Sequence, residues 1–167
     1  RSPYIKQADT LQGFYFFEDH FTKEQLEKHF DFYEPFTVHE SSLSPCVHSI
    51  QAAVLGRMEQ AYTFYLRTSR LDLDDYNKEV EEGLHITSMA GTWMSIVEGF
   101  GGMRVKEDTL HFAPKIPKEW EGYSFKINFR HQIVKVEVTQ NDTKFSLEGD
   151  KALTVFVNGK EVVVQPN

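Results

Sequence analysis

The N-terminal part of the chain, up to about residue 103, carries apolar residues at the three- and four-residue spacing of amphipathic helices. Thr22 and Gln25 have the spacing of a capping box, in which the two side chains satisfy the first amides of a helix. Ser44 followed by Pro45 is typical of an N-cap and a first turn, and Gly56 is typical of a helix end. The pattern predicts five helices, over residues 4–17, 22–34, 44–55, 58–69 and 84–100.

The fifth predicted helix places its large apolar residues on one face: Met89, Trp93, Ile96, Val97 and Phe100. The apolar stripes of all five helices are wide, so each helix is expected to pack on more than one neighbour. No helix pair closes a core by itself, which favours part of a larger helical barrel or bundle.

After Gly102 the pattern changes to the strict alternation of apolar and polar residues that is typical of half-buried strands. Asn158 and Gly159 are a strong signal for a two-residue hairpin, and residues 140–142 are a further turn signal. Strands are predicted over residues 109–112, 123–130, 133–138, 143–148, 153–157 and 161–164. The predicted fold class is therefore helices, in a domain of residues 1–105, followed by a small antiparallel β-sandwich domain of residues 106–167.

The composition narrows the class of protein. Of the 167 residues 40% are hydrophobic and 26% charged, which predicts a packed core rather than disorder. The formal net charge of -7 argues against nucleic acid and anionic membranes as partners. The single cysteine, Cys46, is interpreted as a small buried residue and excludes an internal disulfide. Neither a membrane-spanning run nor a signal peptide is recognisable, so a cytoplasmic location is expected.

The stretch with His85, Thr87 and Ser88, at the start of the fifth predicted helix, is the best candidate for chemistry. Free amides at a helix start, together with hydroxyls and an imidazole, suit an anion such as phosphate. An ordinary capping turn with a packed histidine would use the same residues. Local sequence alone leaves both interpretations open.

A second polar loop, with His39, Glu40, Ser41 and Ser42, precedes the third predicted helix. It suits simple capping and solvation, or the other half of a shared anion site. The acidic residues between positions 72 and 82 do not match the EF-hand spacing, which favours turn chemistry at a helix end. The histidines lack metal-ligand spacing, so no metal site and no cofactor are predicted.

Four blocks of the sequence resemble the family 65 glycoside phosphorylases, and they occur in the order found in that family. They are IKQAD at residues 5–9, FYEPFTVHESSLS at 32–44, SRLDLDDYN at 69–77 and EGLHITSMAGTW at 82–93. The resemblance covers nearly the whole chain and is nearest to members that act on maltose. Members that act on kojibiose, trehalose or nigerose remain alternatives, since the loops that set specificity are expected largely outside this chain.

The resemblance implies the last helices of a catalytic (α/α)6 barrel followed by a β-sandwich, with the rest of the same polypeptide upstream and a homodimer at full length. It also implies a reaction in which inorganic phosphate attacks the anomeric carbon of an α-glucosyl disaccharide with inversion. The products are β-glucose 1-phosphate and glucose. Phosphate, a substrate rather than a cofactor, takes the place that activated water holds in an inverting hydrolase.

The resemblance also implies roles for particular residues. By position in the family motifs, Ser41, Ser42 and His85 resemble the phosphate site, with Thr87 and Ser88 beside them, and Lys6 and Gln7 resemble residues that bind the sugar. The general acid of the family is a glutamate whose surroundings match no block of this chain. No glutamate is therefore assigned that role, and the chain alone is expected to be inactive.

An alternative from another class is a non-catalytic carbohydrate-binding or assembly module that uses the predicted sandwich as its surface. Such a module would present aromatic side chains in line on one sheet face. Tyr123, Phe125 and Phe129 instead alternate as core residues do, which argues against this alternative.

Overall fold

Five α-helices form the N-terminal part of the chain in the computed structural model, which describes residues 2–166. They are α1 (Asp9–Phe16), α2 (Lys23–Tyr33), α3 (Ser44–Leu55), α4 (Met58–Ser69) and α5 (Ile86–Met94). A π-helical turn, Ser95–Phe100, continues α5. The chain divides into a helical unit, Arg1–Gly99, and a strand unit, Phe100–Asn167. The prediction of five helices is confirmed.

α3 is the central element of the helical unit because it packs against the other four helices. Nearly all of its residues are buried, and Ile50, Ala52 and Ala53 are fully so. Burying a side chain of the size of Ile50 contributes roughly 1.5–3 kcal/mol. Gly56 ends the helix with a φ of 85°, the left-handed conformation expected of a glycine at that position.

The predicted start of α2 is confirmed by its capping box. Thr22 Oγ1 accepts a hydrogen bond from the Gln25 amide at 3.2 Å, and Gln25 Oε1 accepts from the Thr22 amide at 2.8 Å. The helix ends at Tyr33, and Pro35 lies in the 3₁₀ turn that follows.

One predicted helix start and one predicted N-cap were wrong. α1 begins at Asp9 rather than near Tyr4, because Ile5 is extended and pairs with Thr37 in a parallel bridge. The Ile5 carbonyl accepts from the Val38 amide at 3.0 Å, whereas in a helix through residue 5 it would accept from the amide of residue 9. Ser44 is the first residue of α3 rather than its N-cap, since its hydroxyl is buried against His39 and does not cap the helix.

The prediction of one continuous helix over residues 84–100 with a single apolar face was also wrong. The α-helical part covers Ile86–Met94, and the π-helical turn after it changes the angular spacing of the residues that follow. Val97 and Phe100 are therefore fully buried, whereas Met89 and Trp93 are 48% and 47% exposed.

The described residues of the strand unit form seven strands in two sheets. They are β1 (Arg104–Lys106), β2 (Thr109–Phe112), β3 (Gly122–Phe129), β4 (Gln132–Thr139), β5 (Thr143–Glu148), β6 (Leu153–Val157) and β7 (Lys160–Val164). The sheets have the orders β1-β2-β6-β7 and β3-β4-β5, and Phe112 of the first contacts Phe125 and Phe145 of the second. All six predicted strands are present, while the three-residue strand β1 was not predicted.

The sheets are antiparallel with one exception. β2 and β6 pair in parallel, with Leu110 opposite Val155, so the prediction of a wholly antiparallel unit was wrong at this pair. The three strands of the other sheet, β3-β4-β5, lie between β2 and β6 in sequence. The alternation of apolar and polar residues predicts a strand, but it does not predict in which direction that strand pairs with a distant one. The β6–β7 hairpin turns at Asn158 and Gly159, both with positive φ, as predicted.

Candidate functional site

The two polar loops singled out in the sequence meet in the helical unit. Ser42 Oγ and Thr87 Oγ1 share a hydrogen bond of 3.2 Å, and Ser88 Oγ donates to the Ser42 carbonyl at 3.2 Å. Ser88 is 3% exposed, so its hydroxyl fixes the Ser42 loop rather than facing solvent. Residues 45 positions apart in sequence thus form one polar cluster at the start of α5.

His85 occupies the N-cap position of α5, which begins at Ile86 rather than at the predicted Leu84, and its side chain does not cap the helix. The amides at this helix start are less available than predicted. The His85 amide donates to Asp72 Oδ2 at 2.9 Å, the Ile86 amide to the Leu84 carbonyl and the Ser88 amide to the His85 carbonyl. The prediction of free amides here is therefore wrong for these three, and an anion would depend mainly on side chains.

The imidazole of His85 lies between two carboxylates. Its Nδ1–H donates to Asp72 Oδ1 at 2.6 Å, and its Nε2 lies 3.4 Å from Glu79 Oε2. The hydrogen bond to Asp72 is the main reason that the pKa of His85 is raised. The same hydrogen bond lowers the pKa of the Asp72 carboxyl. The raised pKa shifts the protonation equilibrium of His85 toward its cationic form, which suits contact with an anion.

The Ser41–Ser42 loop is held in place by its neighbours. Ser41 Oγ accepts from the Leu43 amide at 3.3 Å, and the Ser41 carbonyl accepts from the Ser44 amide. His39, with a φ of 56°, turns the chain before this loop, and Arg67 of α4 donates to the His39 carbonyl at 3.0 Å. The serines are thus presented by a loop with a fixed backbone.

The predicted sugar-binding residues lie on the segment beside this loop. The Lys6 carbonyl accepts from the Glu40 amide at 3.3 Å, which places the IKQAD block alongside the HESSLS block. The Lys6 side chain is exposed. The Gln7 amide group donates to Asp9 Oδ1 at 2.8 Å and so is engaged within its own segment.

Close packing against α3 positions the helix that carries His85. A Cβ atom built on Gly91 would lie 2.7 Å from the Cys46 Cβ and 3.3 Å from Thr68 Cγ2. Only glycine permits α5 to approach α3 and α4 so closely. Cys46 is buried, as predicted, and burial raises the pKa of its thiol.

Glu34, His39 and His48 form a group that the sequence did not predict, with ligand atoms within 4.8 Å of one another. In the part of the chain that the structure describes, His39 Nε2 and both ring nitrogens of His48 have no hydrogen-bond partner. Burial lowers the pKa of both histidines, and the positive field of the Arg67 guanidinium lowers each of them further. That field disfavours a divalent cation, and the group fits buried neutral imidazoles better than a metal site.

Asp72, Glu79 and Arg67 are the site residues that sequence reasoning missed. Turn chemistry does explain Asp74, which pairs with Arg70 at 2.6 Å, and Asp75, which accepts from the Val80 amide. Asp72 differs because its carboxylate accepts hydrogen bonds from His85, which lies in the EGLHITSMAGTW block. The only signal in the sequence was its place in the SRLDLDDYN block.

Comparison with known proteins identifies the family to which the chain belongs. The model of the glycosyl hydrolase family 65 central catalytic domain matches residues 1–94, and that of the glycosyl hydrolase family 65 C-terminal domain matches residues 103–164. The chain belongs to glycosyl hydrolase family 65. The resemblance stated from the sequence blocks is confirmed.

Particular relatives include a maltose phosphorylase of Bacillus subtilis, 54% identical over 99% of this chain and 22% of that protein. An alpha,alpha-trehalose phosphorylase of Thermoanaerobacter brockii is 41% identical over 96% of the chain and 21% of that protein. A kojibiose phosphorylase of Halothermothrix orenii is 34% identical over 99% of the chain and 22% of that protein. The chain therefore spans about a fifth of the length of these relatives.

A solved structure from the human microbiome, described as a kojibiose phosphorylase, superposes with a TM-score of 0.91. It is 40% identical, and the match covers 96% of this chain and 24% of that chain. The predicted fold class, helices from the family's catalytic domain followed by a small β domain, is confirmed. No helix among the described residues combines the length and apolarity needed to cross a membrane.

Proposed function

We propose that the chain is the C-terminal part of an inverting disaccharide phosphorylase that converts maltose and inorganic phosphate to β-D-glucose 1-phosphate and glucose. Identity to the maltose phosphorylase, at 54%, exceeds identity to the trehalose and kojibiose enzymes, at 41% and 34%. The observation that carries the proposal is the pair of hydrogen bonds joining Ser42 to Thr87 and Ser88 beside His85.

The proposed phosphate site consists of Ser41, Ser42 and His85. A phosphate dianion needs donors and at least one positive charge, and charge-assisted hydrogen bonds are about twice as strong as neutral ones. The serine hydroxyls supply donors, and the cationic form of His85 supplies the charge. Thr87 is exposed and shares its hydroxyl with Ser42, so it lies in reach of the same anion.

The remaining parts of the reaction come from other groups. Lys6, exposed on the segment that borders the loop of Ser41 and Ser42 (the serine loop), is proposed to bind the sugar together with Gln7. A general acid must protonate the leaving glucose, and we assign that role to a glutamate outside this chain. The isolated chain is therefore expected to show no phosphorolysis, and inorganic phosphate acts as a substrate rather than a cofactor.

The test is a product assay on the full-length polypeptide that contains this chain. Maltose with phosphate should yield glucose and β-glucose 1-phosphate, with the anomer read directly by proton NMR. The isolated chain, assayed in parallel, should give neither product. Formation of the α-anomer, or of glucose without a sugar phosphate, would contradict an inverting phosphorylase.

The substrate is the finer part of the proposal, and the same assay decides it. Kojibiose, trehalose and nigerose are offered at equal concentrations beside maltose. A value of kcat/KM highest for maltose supports the proposal. A higher value for one of the other three would make the protein a phosphorylase of that disaccharide.

A carbohydrate-binding module has less support in the strand unit. Phe125 is buried, and Tyr123 donates its hydroxyl to the Lys115 carbonyl at 2.9 Å. In the described part of this unit, the large hydrophobic side chains that are exposed are valines: Val105, Val162 and Val163. An aromatic platform for stacking a sugar ring is therefore not formed there.

Further properties of the full-length protein belong to the same proposal. We place the five helices at the end of an (α/α)6 barrel, completed by the rest of the polypeptide, and the strand unit as its β-sandwich domain. A homodimer and a cytoplasmic location are expected, as for an enzyme acting on a disaccharide and phosphate inside the cell.

A further inference from the structure

We infer that Asp72 is a positioning residue for phosphorolysis: it holds the His85 imidazole so that Nε2–H is the donor offered to phosphate. The inference rests on the proposed function, because it assigns a partner to the phosphate-binding histidine. It adds a residue from the loop after α4 to a site otherwise built from the serine loop and α5.

The Asp72 carboxylate accepts two hydrogen bonds from His85. Asp72 Oδ1 accepts the Nδ1–H of the ring at 2.6 Å, and Oδ2 accepts the backbone amide of the same residue at 2.9 Å. The two bonds fix both the backbone at the start of α5 and the rotation of the ring. An Asp carboxylate that orients a functional imidazole through Nδ1 leaves Nε2 as the nitrogen available for chemistry.

Asp72 is itself well anchored. Its neighbour Leu71 is 5% exposed, and the Leu71 carbonyl accepts the Tyr76 amide at 3.2 Å. The Asp72 side chain is 16% exposed, less than that of Glu79 at 40%. The Asp72 carboxylate thus belongs to a loop that is fixed to the core of the helical unit.

Glu79 marks the position that phosphate would take. Its Oε2 lies 3.4 Å from His85 Nε2, longer than the bond to Asp72, and it also accepts from Asn77 Nδ2 at 3.3 Å. Asp72 and Glu79 are the charged groups that face His85 among the described residues. A dianion with three acceptor oxygens can displace the half-exposed Glu79, whereas Asp72 stays bonded to Nδ1.

The experiment uses the full-length polypeptide and compares Asp72→Ala, Asp72→Asn and Asp72→Glu with the unchanged protein. Asp72→Ala should raise KM for phosphate about 10- to 100-fold, the same cost as losing the carboxylate that orients a metal-binding histidine. KM for maltose should change less than twofold. Asp72→Glu should recover part of the loss, because it restores the charge on a longer side chain.

The pH profile separates positioning from general damage. Without the Asp72 charge the imidazole becomes less basic, so KM for phosphate should begin to rise at lower pH in Asp72→Asn than in the unchanged protein. Ionisation of phosphate itself is the same for all variants, so it cancels when the KM of a variant is divided by that of the unchanged protein at the same pH. Asp74→Asn, which changes an exposed carboxylate paired with Arg70 in the same loop, is the matched control and should leave both the KM values and the profile unchanged.

His85→Gln distinguishes failure of this inference from failure of the proposed function. If His85→Gln raises KM for phosphate and Asp72→Ala does not, the role of Asp72 is overturned, but the proposed phosphate site remains supported. If His85→Gln leaves KM for phosphate unchanged, the phosphate site itself is wrong. Equal rises in both KM values with Asp72→Ala, and no shift of the pH profile, would make Asp72 a structural residue only.

Discussion

His39 and His48 lie side by side in the helical unit, with ring centroids 4.4 Å apart and exposed fractions of 6% and 0%. Burial, with a further contribution from Arg67, lowers the pKa of His39 to about 4 and that of His48 to about 3. Both rings are therefore neutral at pH 7 in the folded protein. Phe64 contacts both of them, so they behave as part of the core.

These two histidines should make the chain sensitive to acid. Between the folded values and the ordinary value of about 6.5, the unfolded chain binds more protons, so stability falls as pH falls. Each histidine contributes a slope of up to about 1.4 kcal/mol per pH unit in that window. Urea unfolding of the chain from pH 7 to pH 4.5 measures this slope.

The variant His48→Leu removes one of the two titrating groups and should make the free energy of unfolding fall less steeply below pH 6.5. His131→Gln changes an exposed histidine of the strand unit and serves as the control. A slope in His48→Leu equal to that of the unchanged chain would contradict burial of His48 as a neutral ring.

The sequence indicated some residues of the proposed site and did not indicate others, for a physical reason. Ser42, Thr87 and His85 are recognisable because each sits in a motif at a predicted helix start. Asp72 is not, because its role depends on a loop returning 13 residues later to the same place, which spacing alone does not encode. The sequence likewise did not indicate that His39 is buried, since a polar loop normally lies at the surface.

Among the elements, α5 is in close contact with α3 and α4. Gly91 faces Cys46 of α3 and Thr68 of α4 at distances that leave no room for a methyl group. His85, one of the proposed phosphate ligands, is the N-cap residue of α5, so this contact affects its position. The sequence showed the glycine but not its neighbours, because helix periodicity does not tell which helices cross.

Gly91→Ala should destabilise the helical unit by about 1–3 kcal/mol, the usual cost of overpacking a tight contact. Gly13→Ala is the matched control, since a Cβ at Gly13 of α1 meets nothing within 4 Å. That change should stabilise by up to about 1 kcal/mol, because alanine favours helix over glycine. Thermal unfolding of both variants compares them, and stabilisation by Gly91→Ala would refute the close approach of α5.

Element order and strand alternation were predictable, because each depends on short-range periodicity. The start of α1 was not, since Ile5 bonds to a segment about thirty residues away instead of continuing a helix. The π-helical turn after α5 was not predictable either, as its sequence has the same apolar content as an α-helix. The parallel pairing of β2 with β6 is again a long-range choice.

For the molecule as a whole, the chain spans about a fifth of its phosphorylase relatives. The helical unit exposes several large apolar side chains around α5: Leu84, Ile86, Met89 and Trp93. Such residues fit a surface that the rest of the family's catalytic domain covers. We therefore expect the proposed phosphate site to work only in the full-length polypeptide.

In the proposed site, the serine loop and the start of α5 together bind one phosphate ion. The most direct measurement is KM for phosphate, at saturating maltose, in full-length Ser42→Ala and His85→Ala, with exposed Ser124→Ala of the strand unit as control. Loss of a hydrogen bond to a charged group costs about 1.5–3 kcal/mol, so KM for phosphate should rise roughly 10- to 100-fold in both variants. KM for maltose should stay within twofold. Equal rises for phosphate and maltose, or a rise in only one of the two variants, would contradict a shared phosphate site.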